Sequence, residues 1–108
     1  MNPYDDKWRK KRRAILSRDQ YECKYYSRFG IKKAATIVHH VFPVEFFPEL
    51  RLTSWNLISL SNEAHEKMHD RSDGGNLSEE GIKLAERTAV KYNQMKYFEK
   101  LKHIYTDA

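Results

Sequence analysis

Two short runs with the β-branched, apolar character of strands constrain this chain most: AATIVHHVFP, from Ala34 to Pro43, and LISL, from Leu57. Strands so short support only a small sheet, which Pro43 limits at the end of the first run. The remaining segments carry helical signals, so the pattern predicts an α+β fold. At 108 residues the chain has room for one compact domain, taken as residues 1–108, and is short for two.

A helix is expected from about Asp5 to Asp19, after Pro3, where Gly and Pro are absent and Trp8, Ile15 and Leu16 sit among charges. Within it KWRKKRRAILSR, from Lys7 to Arg18, holds seven basic residues and no acidic one, whereas the whole chain carries a formal charge of +5. That local field suits a polyanion such as nucleic acid or an anionic membrane surface. The segment YECKYYSRFGIKKA around Gly30 reads as an irregular or hairpin region. The segment with Phe42, Phe46, Phe47 and Trp55 reads as a packed loop whose rings belong to the core rather than to a base-stacking platform. Ser61 is a natural N-cap for a helix through NEAHEKMHDR that stops before Asp73-Gly74-Gly75, and RSDGGN looks like a flexible hinge. Ser78, Glu79 and Glu80 open a C-terminal packing helix over about 78–102, its apolar positions recurring every three or four residues, with a frayed tail after His103.

One cysteine, Cys23, excludes an internal disulfide, and a charged start argues against a secretory leader, so a cytoplasmic setting is expected. No apolar run approaches the roughly 20 residues that a membrane span needs. Cys23 reads as a packed remnant without a partner to activate its thiol, and His103 is assigned no role.

The remaining four histidines form two groups. His65 and His69, four apart on the expected helix, share one face and can offer two imidazole nitrogens to one divalent cation. His39 and His40 are adjacent, so on a regular strand they point to opposite faces, and they can reach one site only where the strand is ending or sharply twisted, which Pro43 three residues on favours. A metal centre that hydrolyses phosphodiesters has use for such a doublet: one imidazole holds the cation, and the other, with an ordinary pKa of about 6.5, stays free as a general base.

The order HH, then Asn56, then His-x-x-x-His resembles the HNH endonuclease motif and its ββα-metal fold, with spacing similar to colicin-type DNases. The wider layout, RDQYEC followed by VHHVFP, WNLISL and NEAHEKMH, is similar to small bacteriophage HNH nucleases from about Trp8 to Arg71, with the motif core at about 34–71. The resemblance implies a metal-dependent endonuclease acting on double-stranded DNA and leaving 5′-phosphate and 3′-hydroxyl ends. It implies that His40 is the general base, that His39, His65 and His69 hold one divalent ion (Mg, Mn, Ni or Zn), and that Asn56 braces the histidine loop through backbone hydrogen bonds. It also implies a phage setting, with a terminase as candidate partner in DNA packaging. Arg51 is a candidate for the scissile phosphate, and Arg9, Lys10, Arg12 and Arg13 for flanking ones.

Many phage relatives bind a structural zinc through two CxxC pairs. The matching positions here are Cys23 with Tyr26 and Ser61 with Ala64, so no structural zinc is expected, and Tyr21, Tyr25, Tyr26 and Phe29 are expected to fill that volume. The alternative reading is a non-catalytic DNA-binding module with a structural zinc held by the histidines. It is disfavoured because structural zinc sites usually include cysteines, and adjacent histidines cannot easily join one tetrahedron.

Overall fold

A computed structural model describes residues 5–106; Pro3 lies outside the described residues. Helix α1, Asp6–Arg18, begins where extended Asp5 accepts a hydrogen bond from the Trp8 amide at 2.9 Å, and it buries Trp8, Ile15 and Leu16. The segment expected to be irregular contains one short helix, α2, Lys24–Ser27, and an isolated bridge between Glu22 and Ala34.

Strand β1, Ile37–His40, pairs antiparallel with β2, Leu57–Leu60, with Val38 opposite Ser59, His39 opposite Ile58 and His40 opposite Leu57. Directly opposed residues share a face. Val38 and Leu57 therefore join the α1 side chains Trp8, Ile15 and Leu16 in one cluster, while Leu60 and Ile58 face the larger core of Phe42, Phe47, Ala64, Met68 and Leu101. The loop rings pack as expected, Phe42 lying 5.4 Å from Phe47 and 6.0 Å from Trp55.

Four expectations are corrected. The helix after Ser61, α3, covers only Asn62–Lys67, so His69 is not on it. Its last carbonyls are committed elsewhere: the Ser78 amide donates to Met68 O at 2.9 Å and the Ser78 hydroxyl to Lys67 O, so these two carbonyls face Ser78 rather than a further helical turn. The expected hinge is instead a hairpin. Strand β3, His69–Asp70, pairs with β4, Asn76–Leu77, across a 3-10 turn closed by Gly74 and Gly75 at φ of +63° and +82°. Asp70 holds the turn by accepting from the Ser72 amide and, through its carbonyl, from the Gly75 amide.

The C-terminal helix is two helices, α4 Glu79–Lys91 and α5 Met95–Thr106, packed on each other. Asn93 breaks the run with a φ of +56°, a conformation asparagine tolerates. The tail is not frayed after His103: α5 runs to Thr106, and the Tyr105 hydroxyl accepts from the Leu77 amide at 3.2 Å. Gly81 lets α4 approach closely, since a Cβ there would lie 2.3 Å from Met68 O. Thus α4 is pressed against the end of α3, where the histidines gather.

Candidate metal centre and catalytic site

Strand alternation separates the histidine doublet. His39 turns towards α3, where its ring centre lies 5.4 Å from that of His65 and 5.3 Å from that of His69, with His65 and His69 5.0 Å apart. One ring nitrogen from each lies within 4.8 Å of those of the other two, close enough to converge on a single ion. His39 is 3% exposed and its Nε2 is buried without a hydrogen-bond partner, an unmet valence that a cation fits. Burial, with the neighbouring imidazoles adding to it, holds His39 well below the usual histidine pKa; burial and His69 lower His65 in the same way. Neutral imidazoles are the form that binds metal.

His69 reaches the cluster from the hairpin. Its Nδ1 lies 3.0 Å from Gly75 O, and because a carbonyl can only accept, Nδ1 carries the proton and Nε2 is left as the ligand atom. The four-residue spacing therefore brings the two histidines together through a helix end and a hairpin rather than through one helix face.

His40 turns towards α1 and stacks on Trp8, ring centres 4.8 Å apart and planes at 23°. Its Nε2 donates to Arg51 O at 2.9 Å, which fixes the tautomer and leaves the Nδ1 lone pair free. Burial lowers its pKa, opposed by the Arg51 carbonyl, which favours the protonated ring, so His40 is a neutral base at neutral pH. Both histidines line one cleft of about 450 Å³, with Trp8, Arg12, Pro43, His65 and His69 also in its wall.

Asn56, fully buried, ties the loop after β1 to the loop before β2. Its Oδ1 accepts from the Phe42 amide at 2.8 Å, and its Nδ2 donates to Phe42 O at 3.1 Å and Leu50 O at 3.3 Å. The Arg51 carbonyl that orients His40 follows Leu50 directly, so the amide holds the segment that aims the His40 ring.

The basic candidates divide. The Arg51 guanidinium is largely buried and paired with Asp5 at 3.3 Å, so its visible contribution is the backbone carbonyl. Arg12 lines the cleft and donates to Thr36 O. Arg9 is exposed and pairs with Asp6 at 2.7 Å, while Lys10 and Arg13 make no ion pair among the described residues and face solvent. Sequence reasoning missed three supports: Trp8, whose isolation among charges was its signal, the Arg51 carbonyl, and Gly75, which was read as part of a hinge.

At the other end of α3, Cys23, Tyr26, Ser61 and Ala64 come together without a second thiol. Burial disfavours the Cys23 thiolate, but hydrogen bonds from Ser61 and Tyr26 outweigh it and lower the pKa. The Ser61 hydroxyl caps Ala64 at 3.1 Å, and the Tyr26 hydroxyl donates to Glu63, pushing the tyrosine pKa up to about 12. Lys33 completes this link, 2.9 Å from Glu63 and 4.4 Å above the Tyr26 ring. Of the aromatic filling expected here, Tyr25 and Tyr26 pack edge to face, whereas Tyr21 and Phe29 are 56% and 58% exposed, a correction that goes with their places outside α2, Tyr21 in a left-handed turn before it at a φ of +56° and Phe29 past its end.

No protein-family model matches the chain, and no curated protein sequence does. Among solved structures it is similar to the HNH endonuclease of the deep-sea thermophilic bacteriophage GVE2, crystallised with a manganese ion. The match has a TM-score of 0.57 and 28% identity, covering 66% of this chain and 73% of that one. Two antiparallel strands, a following helix and a histidine triad between them define a ββα-metal protein. Within that class its likeness is to the HNH endonucleases.

Proposed function

We propose that this protein is a metal-dependent endonuclease that hydrolyses phosphodiester bonds of double-stranded DNA. The observation that carries the reading is the division of the doublet: His39 offers a buried, unpartnered Nε2 to the triad, while His40 is held separately with Nδ1 free. A divalent cation held by His39, His65 and His69 would supply Lewis-acid stabilisation of the charge that develops on the phosphoryl group and the leaving 3′ oxygen. His40 Nδ1 takes the proton of the attacking water as the water oxygen bonds to phosphorus. The bond to the 3′ oxygen breaks, and that oxygen takes a proton from solvent, leaving a 5′-phosphate and a 3′-hydroxyl. Trp8 and the Arg51 carbonyl keep the His40 ring in position, and Arg12 stands on the cleft wall where a neighbouring phosphate would lie.

Three nitrogen donors suit manganese, nickel or zinc better than magnesium, and the similar phage protein carries manganese. The phage origin of that structure supports a setting in phage DNA processing inside the host cytoplasm, with terminase as the partner to test. Among the described residues no helix is long and apolar enough to cross a membrane.

The test is His40→Ala, assayed by plasmid nicking beside isothermal titration with manganese. Cleavage is expected to fall by about 100- to 10,000-fold, the usual worth of a general base, while metal affinity stays within a few-fold. Loss of metal binding in His40→Ala with retention in His39→Ala would reverse the two roles, and cleavage unaffected by chelation would overturn the reading.

A further inference from the structure

A two-stranded sheet has two free edges, and the cleft uses one of them. Its wall takes residues from β1 and none from β2. A second groove, of about 460 Å³, is lined by Leu57 and Ile58 of β2 and by no residue of β1, so it lies along the opposite edge, roofed by α2 and α4. Six of its lining side chains are charged, and they are unevenly balanced.

The single carboxylate in the wall, Asp19, is already engaged: Arg18 binds it at 2.8 Å, and its second oxygen accepts from the Ser59 amide at 3.1 Å. Arg18 also donates to Ser54 O and Leu57 O, so this pair belongs to the scaffold. The other four cations, Lys24, Arg28, Arg87 and Lys91, make no ion pair among the described residues. Arg87 Nη2 is buried and has no hydrogen-bond partner. Burial and the nearby positive charge of Arg28 both act against the Arg87 cation; Glu80 offsets this without pairing, its carboxylate accepting instead from the Tyr25 hydroxyl at 3.5 Å. Guanidinium groups gathered without a carboxylate bound to them, one with a donor unmet, fit an anion placed between them. The wall also carries Trp55 stacked on Tyr92 at 6.4 Å and 28°, with Tyr92 42% exposed and Lys91 Nζ 5.3 Å from its ring centre, so that ring and cation are presented together.

We infer that this groove is a second nucleic-acid site, in which Lys24, Arg28, Arg87 and Lys91 hold a phosphodiester backbone and Tyr92 offers a ring for base stacking. Cations contributed by two separate elements suit a run of phosphates better than one, and a ring beside them suits a polynucleotide better than an acidic peptide. The inference shares its ligand class with the proposed nuclease reading but stands on different residues, so the two can fail separately.

The chain has two tryptophans, Trp8 in the cleft and Trp55 in the groove, so each can report one site alone. Trp8→Phe and Trp55→Phe proteins are titrated in EDTA with a duplex of roughly 20 base pairs, long enough for several phosphate contacts, and fluorescence is followed. Trp55 is expected to respond saturably. Adding Arg87→Gln and Lys91→Gln should weaken the affinity it reads by about tenfold and shallow its log–log salt dependence by about 1.8, while the Trp8 signal changes less than about twofold. Lys24→Gln with Arg28→Gln should do the same, and circular dichroism checks that both double variants fold. A Trp55 that stays silent while Trp8 responds overturns the groove and spares the nuclease reading; the reverse pattern does the opposite. A mononucleotide or inorganic phosphate binding as tightly as the duplex, or polyglutamate displacing it from Trp55, overturns the assignment to a nucleic-acid backbone.

Discussion

Asn56 and His39 are both buried polar side chains within a few residues of the same sheet, and they use burial in opposite ways. The Asn56 amide makes three hydrogen bonds, to Phe42 N, Phe42 O and Leu50 O, so every buried group it meets is satisfied by the chain itself. His39, 3% exposed, leaves Nε2 with nothing to bind. A buried polar group that is fully paired stabilises its surroundings, whereas one left unpaired is a cost that folding alone does not explain. The first kind of residue marks scaffold and the second marks function.

The contrast breaks most visibly at Asn56. Asn56→Ala strands three buried backbone groups and opens a cavity, so it should lower the unfolding free energy by about 4 kcal/mol in urea titrations. A loss under about 1 kcal/mol would mean that the loop is held by the Phe42 and Phe47 packing and not by the amide.

His39→Ala should give the opposite signature. With manganese the affinity is expected to fall at least about 100-fold, since one ligand of three is gone and second-sphere changes alone cost about 10- to 100-fold. In chelator, stability should fall by only about 1–2 kcal/mol, less than at Asn56, because a cavity is opened but no hydrogen bond is broken. A large melting shift in chelator would show that His39 is a packing residue first.

Asp19 sharpens the comparison with a third buried polar group, one that is paired and charged. Burial alone would raise its pKa, but the Arg18 guanidinium and the Ser59 hydroxyl and amide more than offset this and lower it below the 3.8 of a free aspartate. A depressed folded-state pKa means that the stabilisation is complete above that value and is lost as pH falls through the folded pKa. Asp19→Asn should therefore cost about 1–2 kcal/mol at neutral pH and nothing at strongly acid pH, so its stability curve should be flatter than the parent's below pH of about 4. Parallel curves would remove Asp19 from the acid response.

Part of this protein could be read without coordinates because it depends on residues close in the chain. Strand runs around His39 and Leu57, caps at Ser61 and Ser78, and the amphipathic spacing from Ile82 onward are local signals, and each element starts where they place it, although the helix after Ser61 is shorter than expected and the last divides in two. The residue types of the site were equally legible, since adjacent histidines, Asn56 and His-x-x-x-His form a pattern specific enough to resemble one family. What could not be read is how those residues are held. The end of α3 at Lys67 goes with the commitment of the Lys67 and Met68 carbonyls to Ser78, and the break near Asn93 follows from α5 packing back on α4.

The sequence by itself determined which imidazoles are available and that a regular strand would turn His39 and His40 apart, a consequence that needs only a backbone of known period; that the strand stays regular up to His40 despite Pro43 is seen in its pairing with Leu57. Tertiary structure decided which nitrogen of each ring is free, because the Gly75 and Arg51 carbonyls that set the tautomers are six and eleven residues away from their histidines. It also decided that Lys24, Arg28, Arg87 and Lys91 share one groove, since charges distant in sequence acquire a common field only when packing brings α2 and α4 to the same sheet edge.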